Sequence, residues 1–420
     1  MGEPSHEALG ADHTALIRCA AVVHASELEL PDFDTADTHL HGERFHEVMT
    51  ELAGRSWLAR TPLGYCTLDR ESGEFFLRSR DATFPGQKIA ELFAIDDGPL
   101  REEIDHNILH IDGDDHRRLR NLLNPFFTPR AADRWRPVMR ELLTDLFAGV
   151  EDAKGCELVE AFAKPYPALT IARVMGAPRE DAPRLHEWSN WIQRQFDGPS
   201  LATERGRIER AVEEFYVWCR ALLDARRESP GEDLMSTLIA AEEDGDRLSD
   251  VELVNLVLNV LVGGVDTTQS QLAHALRLFA GAPEQWELIA REPERVPHAV
   301  EEVLRHEPIT PFTARILVRD VSFRDVEFPA DTVVMVCSFT GNRDGEDSSA
   351  FDVTASRNTR LMTFGAGIHY CVGANLARAE LEEALTYLAP RMPGLRLAGE
   401  PEFGTIQGIY GLDRLPISWD

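Results

Sequence analysis

The sequence predicts a mainly α fold in a single domain spanning residues 1–420. Three observations carry that expectation. Apolar residues recur at helical spacing over most of the chain. Runs that alternate in the manner of a strand are few and short. No Pro/Gly-rich linker separates two large halves.

In chain order, helical spacing predicts helices over 132–150, 183–196, 202–227, 233–241, 249–280, 293–306 and 374–388. Strand-like runs fall at 57–60, 64–69, 315–318 and 332–337. Ser229-Pro230-Gly231 and the acidic stretch 242–246 read as connections between helices. The 249–280 segment is the most informative. Ser249-Asp250-Val251-Glu252 has the form of a capping box, which gives partners to the unpaired N–H groups of a first turn. The pattern runs to Gly281, and Pro283 lies beyond it as a stop. Unbroken, such a helix spans about 48 Å, enough to cross a domain. Both its faces are apolar around 256–265, so it is expected to be largely buried.

With 43 Lys+Arg against 72 Asp+Glu, the formal net charge is −29. That surplus argues against a nucleic-acid backbone or an anionic membrane surface as partner, except through a local basic patch. A chain of this length buries roughly three quarters of its unfolded surface, so it needs no disulfide or metal staple. The first 30 residues lack a basic segment followed by an apolar run, so no signal peptide is expected. No stretch approaches about 20 uninterrupted apolar residues. The expectation is a soluble, cytoplasmic protein. Six cysteines (Cys19, Cys66, Cys156, Cys219, Cys337 and Cys371) are scattered with no C-x-x-C pair, which excludes the usual zinc knuckle, thioredoxin motif and c-type haem attachment.

The sharpest chemical signal is Phe364-Gly365-Ala366-Gly367-Ile368-His369-Tyr370-Cys371-Val372-Gly373. Two glycines before the cysteine permit a tight loop, and Gly373 lets a helix start close behind it. Cys371 then sits at a helix N-terminus, where unpaired N–H groups and the dipole favour a thiolate. A thiolate on a Gly-rich loop, beneath an aromatic ring and a histidine, suits one large soft metal centre.

On these residues the chain resembles the haem-thiolate cytochromes P-450 of bacteria. The resemblance implies the P-450 fold, a helical domain with small β-sheets around a buried haem b. It makes Cys371 the proximal iron ligand, places Phe364 near the ligand sulfur and puts His369 within reach of a haem propionate. Four further motifs stand in the family's order, so the resemblance covers nearly the whole chain.

Within the long helical segment stands Gly263-Gly264-Val265-Asp266-Thr267-Thr268. Two adjacent helix glycines cost about 1 kcal/mol each against alanine, and a flat ligand approaching the backbone would compensate. Asp266 and Thr267 put an acid and a hydroxyl in an apolar stretch, where they need partners or a proton-handling task. The segment is similar to the family's oxygen-activation motif, which implies that the helix opens beside the distal haem face and that acid and threonine relay protons to dioxygen. Glu302-Val303-Leu304-Arg305 places an acid and a base on one helix face, a pairing that is usually exposed and worth little. Its match to the family's E-x-x-R motif implies a structural pair, completed by a third arginine for which Arg357 is favoured over Arg360. His116 and Arg120, at i and i+4, point the same way and can contact one carboxylate. The resemblance assigns them, and Arg315, to the haem propionates.

Positions i and i+4 back from Thr267 give Gly263 and Asn259 on the ligand-facing side of the helix. Asn259 either hydrogen-bonds a polar group of the substrate or bonds protein or water. The family's other substrate-facing regions map to 84–95, 188–196, 311–313 and the turn at 409–410; with Val262, Pro311, Phe312 and Ile409 as candidate contacts, they favour a hydrophobic small molecule. The aromatic residues Phe84, Phe93, Trp188, Trp191 and Phe196 belong to the same set. Arg117, Arg118 and Arg378 are placed on the thiolate side as a positive patch that steers an acidic ferredoxin.

The resemblance thus implies a monomeric monooxygenase that inserts one oxygen atom of O2 into a hydrophobic substrate, by hydroxylation or epoxidation, with electrons from ferredoxin and ferredoxin reductase. A peroxide-driven haem peroxygenase and a non-enzymatic haem sensor or carrier are the alternatives. The family's peroxygenases tend to lack the acid–threonine pair that is present here, and a sensor has no need of it.

Overall fold

Helical periodicity and capping residues set most of the architecture of the computed structural model, which describes residues 23–243, 248–345, 349–357 and 360–420. The first helices are α1 (Gly42–Arg55), α2 (Arg70–Arg78), α3 (Gly86–Leu92), α4 (Pro99–His106), α5 (Gly113–Leu123), α6 (Pro129–Asp133) and α7 (Arg136–Ala148). They are followed by α8 (Pro165–Met175), α9 (Ala182–Gln193), α10 (Gly198–Glu228), α11 (Leu234–Glu243), α12 (Asp250–Gly264) and α13 (Asp266–Ala280). The last are α14 (Pro283–Arg291), α15 (Val296–His306), α16 (Ser338–Gly341) and α17 (Ala374–Leu388). Each helix predicted from spacing is present. The predicted acidic connection at 242–246 lies largely outside the described residues.

The capping box forms as expected, with Ser249 Oγ accepting from the Glu252 N–H and the Glu252 carboxylate accepting from the Ser249 N–H. Helix α8 escaped the spacing analysis for a physical reason. Tyr166, Ala168, Ile171, Ala172, Val174 and Met175 are all buried, so it carries no periodic polar face to read.

The long segment is not one helix. It breaks at Val265, where φ is −91° and ψ −71°, into α12 and α13. Thr267 Oγ1 donates to the Gly263 carbonyl at 2.6 Å, so a side chain occupies an acceptor of the helix at the break. A Cβ on Gly264 would stand 2.4 Å from Ile171 Cδ1 on α8, whereas one on Gly263 would meet no heavy atom within 4 Å. The two glycines therefore serve different ends: Gly264 lets α12 press on α8, and only Gly263 leaves backbone open to a ligand. By length and composition the 250–280 stretch could cross a membrane, but 67% of its apolar window is buried inside the protein, the behaviour of a core helix.

The main sheet has five strands, in the order Leu58–Thr61, Gly64–Thr67, Val333–Cys337, Phe312–Leu317, Ala82–Thr83. Gly64–Thr67 runs parallel to Val333–Cys337, and the other neighbours are antiparallel. Its two faces bury different clusters. Leu317, Val334 and Val336 pack with Phe76 and Met362, while Phe312, Met335 and Cys337 pack with Phe33 and Phe45. The helices share the larger core, in which α8, α10, α12 and α13 meet.

Gly264→Ala is expected to destabilise the fold by about 1–3 kcal/mol, the usual cost of overpacking. Urea unfolding of the single variant and of Gly264→Ala/Ile171→Val checks this, with the second change recovering part of the loss.

Candidate active site

The loop before α17 is shaped by two glycines in the left-handed region, Gly365 (φ 70°) and Gly367 (φ 72°). At Gly367 a Cβ would come within 2.7 Å of the Leu77 carbonyl, so that position needs glycine twice over. Gly373 has an ordinary φ of −80°, and a Cβ there would lie 4.0 Å from Cys371 Sγ. The helix does start directly behind Gly373, at Ala374, though helix entry itself does not demand a glycine there. The Cys371 N–H donates to the Phe364 carbonyl at 2.9 Å and closes the loop. Burial pushes the Cys371 thiol up, against the opposing pull of the Gly373 and Ala374 N–H groups and the charges of Arg120 and Arg378. A bound cation would add to the groups that favour the thiolate. The Phe364 ring lies under the Arg378 guanidinium at 4.5 Å.

Two groups suited to an anion stand near this loop. Arg315 is 3% exposed, and among the described residues its guanidinium donates only to the carbonyl of its own neighbour Ala314, at 2.9 Å. Burial lowers its pKa to about 10. His116 on α5 is buried, its Nε2 has no partner among the described residues, and burial lowers its pKa to about 4. Its ring lies 4.5 Å from that of His369. His369 Nε2 is held by Asp112 Oδ1 at 2.9 Å, so this nitrogen is taken by a carboxylate of the protein rather than offered to a propionate. Arg120 donates to the Tyr370 carbonyl and, at 3.2 Å, to Asn124 Oδ1. Through these bonds it clamps the cysteine loop.

Asp266 and Thr267 face different ways. The Asp266 carboxylate accepts from Ser189 Oγ at 2.6 Å and lies 3.5 Å from Asn190 Nδ2, both near the C-terminal end of α9. Burial raises its pKa, while these bonds and the nearby His186 and Arg194 pull the other way. Thr267 and Gly263 share the open side of the helix. Sequence reasoning missed a second acid here. Glu380 on α17 is 1% exposed, accepts from Thr268 Oγ1 at 3.4 Å, and keeps Oε1 unbonded among the described residues. Burial raises its pKa well above the ordinary value. Its place four residues from both Leu376 and Ala384, on one apolar face of α17, was the available signal.

Glu302 and Arg305 are buried rather than exposed, and they pair through two bonds of 2.7 and 2.8 Å. Arg357 Nε stands 3.2 Å from Glu302 Oε2, and the Asp352 N–H donates to Oε1 at 2.9 Å. Arg360 instead lies over the Tyr370 ring, 4.6 Å from its centre.

Several expected substrate contacts have other duties. Asn259 Oδ1 accepts from the Ile108 N–H at 3.0 Å, so the amide secures a loop. Phe312 packs on Phe33 and Phe45, on the sheet face opposite Arg315, because side chains alternate along a strand. The same alternation puts Pro311 and Thr313 on the side of Arg315. Trp188 is core, its Nε1 donating to Glu214 at 3.1 Å, and Trp191 is covered by Arg194 and Arg207. Phe93 is half-buried against the helical core. Val262 is buried and Ile409 half-buried, beside Tyr410. The predicted positive patch is neutralised: Arg117 pairs with Asp114, Arg118 with Glu252, and Arg378 with Glu301.

A haem would fit the residues present. Gly263 leaves room for a flat ring, Cys371 offers a soft ligand from a rigid loop, and Arg315 with His116 offers a buried cation and an unbonded nitrogen to carboxylates.

Comparison with known proteins agrees. Residues 204–298 and 295–388 match the family model for cytochrome P-450. The chain is 33% identical to luteothin monooxygenase of Streptomyces thioluteus over 396 residues, covering 93% of this chain and 96% of the relative. It is 39% identical over 302 residues to nocardicin C N-oxygenase of Nocardia uniformis subsp. tsuyamanensis, covering 70% and 74%. The crystal structure of CalO2 superposes with a TM-score of 0.87 at 28% identity, covering 93% of this chain and 99% of that one.

Arg305→Leu is expected to cost about 3–5 kcal/mol, because it strips a buried carboxylate of its bidentate partner. Denaturant unfolding measures this, and adding Glu302→Leu is expected to cost less than the sum of the two single changes.

Proposed function

Because the chain belongs to the cytochrome P-450 family, we propose that this haem-b monooxygenase hydroxylates or epoxidises a hydrophobic small molecule with electrons from a ferredoxin and its reductase. We further propose that it acts as a cytoplasmic monomer of one domain. The observation that carries the reading is the break at Val265, where Gly263 leaves its backbone open one turn before the Thr267 hydroxyl.

Haem b, when bound, supplies the activation of dioxygen and the oxidation of the substrate. Cys371 Sγ is the residue that would ligate the iron, with Arg315 and His116 holding the propionates. The protein's own part is orientation and proton supply. Burial raises the Asp266 pKa against the pull of Ser189, His186, Asn190 and Arg194, and this carboxyl is the proposed proton carrier. A turn of that side chain away from Ser189 would pass the proton toward Thr267 Oγ1, whose bond to the Gly263 carbonyl fixes its direction. Val262, Pro311 and Ile409 are the proposed apolar contacts of the substrate, with Thr313 beside Pro311. The paired state of Arg117, Arg118 and Arg378 argues that ferredoxin docking depends on exchange of ion-pair partners rather than on a free positive patch.

Cys371→Ser should fold, since the volume change is small, and should lose the red-shifted Soret band of the ferrous carbon monoxide complex. Survival of that band would remove Cys371 as ligand.

Thr267→Ala should still consume reductant and bind substrate, but with less product and more hydrogen peroxide per electron pair. Product yield measured against peroxide decides it; an unchanged ratio would reduce Thr267 to a helix-breaking hydroxyl.

A further inference from the structure

The aromatic ring that opens the cysteine loop carries a cation on its face. Arg378, seven residues past Cys371 on α17, lays its guanidinium 4.5 Å from the centre of the Phe364 ring. The Phe364 carbonyl accepts the Cys371 N–H at 2.9 Å, so ring, loop and cysteine form one connected unit. Glu301 of α15 accepts both bonds that hold the guanidinium, at 2.5 and 3.2 Å. Its neighbour Glu302 bonds Arg305 instead, so adjacent acids of α15 serve two separate arginines.

The Glu301–Arg378 pair adds little to the stability of the fold. Its side chains are 40% and 25% exposed, and pairs this open to water contribute less than about 1 kcal/mol. What it controls is the field at the cysteine. Arg120 and Arg378 both place positive charge near Cys371. Among the described residues Arg120 bonds only the Tyr370 carbonyl and the Asn124 side chain, so no acid offsets it. Of the two, Arg378 alone is balanced by a carboxylate. Its contact with an apolar ring also leaves less water to screen it than a free surface arginine has.

We propose that the Glu301–Arg378 pair sets the reduction potential of the haem iron, Arg378 raising it through Phe364 and Cys371 and Glu301 holding that effect in check. The proposal rests on the P-450 reading in taking Cys371 as the ligand of the iron. One electron, from the ferredoxin proposed above as donor, reduces ferric iron to ferrous. No bond breaks, and the iron–thiolate unit gains one negative charge. A cation beside that unit favours the reduced form, and an anion favours the oxidised form. Both residues act through Cys371, as positioning residues rather than catalytic ones.

Anaerobic spectroelectrochemical titration of the substrate-free, haem-loaded protein at fixed pH and ionic strength tests this. Arg378→Gln is expected to shift the ferric–ferrous equilibrium about tenfold toward ferric, which is about 59 mV for one electron. Glu301→Gln is expected to shift it the other way, about threefold toward ferrous. Arg378→Lys, which keeps the charge, is expected to stay nearer wild type than Arg378→Gln. A pair with only a structural role would lower the melting temperature of the variants and leave their potentials at the wild-type value. That result, or shifts of Arg378→Gln and Glu301→Gln in the same direction, would overturn the proposal. If Arg378→Gln fails to retain haem, Glu301→Gln decides alone, since a potential that does not rise there is equally fatal. Absence of the red-shifted Soret band from the ferrous carbon monoxide complex of the wild type would instead remove Cys371 as ligand, and with it the P-450 reading of this loop.

Discussion

One buried carboxylate fixes the geometry on which the site depends. Glu302 accepts two bonds from Arg305, lies 3.2 Å from Arg357 and accepts the Asp352 N–H. A carboxylate this deep is tolerable only when its partners are all in place, because each lost bond leaves charge without solvent. The network therefore ties α15 to the 350–357 stretch that leads toward the cysteine loop. Thr363 adds a second tie by donating to the Leu304 carbonyl at 2.7 Å, and Asn342 donates to the Thr363 hydroxyl at 2.8 Å. Cys371 is thus positioned from α15, a helix that itself carries no chemistry.

Above that platform, the break at Val265 divides labour among polar residues that a continuous helix would crowd together. Asp266 turns to Ser189, Thr267 stays with Gly263, and Thr268 turns to Glu380. Three consecutive polar side chains address three surroundings. Two buried carboxyls, each with its pKa raised by burial, flank the one hydroxyl on the open side.

Charge is distributed with a similar economy. In a chain with 72 acids and 43 bases, arginines find acids readily, and Arg117, Arg118 and Arg378 all do. Arg315 differs because burial keeps it from the acidic surface; the field of Asp112 supports it, while Asp112 itself bonds His369. Among the described residues its guanidinium bonds only backbone, a costly feature unless a bound anion completes it.

Local rules were enough to determine much of this protein from its sequence. Capping at Ser249, the helices with one polar face, the cysteine loop, the acid–threonine pair and the Glu302–Arg305 spacing all depend on residues within a few positions of one another. The shared order of these motifs was enough to identify the family. Tertiary structure alone decided what each polar group meets. Asn259 was legible as an unusual amide but not as the partner of Ile108, and the Arg118–Glu252 pair joins residues 134 positions apart. Phe312 looked like a pocket residue until strand register placed it opposite Arg315. Helix α8, whose outward side is Pro165, Leu169 and Arg173, offered too few polar residues to show a period. Periodicity records which residues share a face, whereas burial and partnership depend on what the rest of the chain brings to that face.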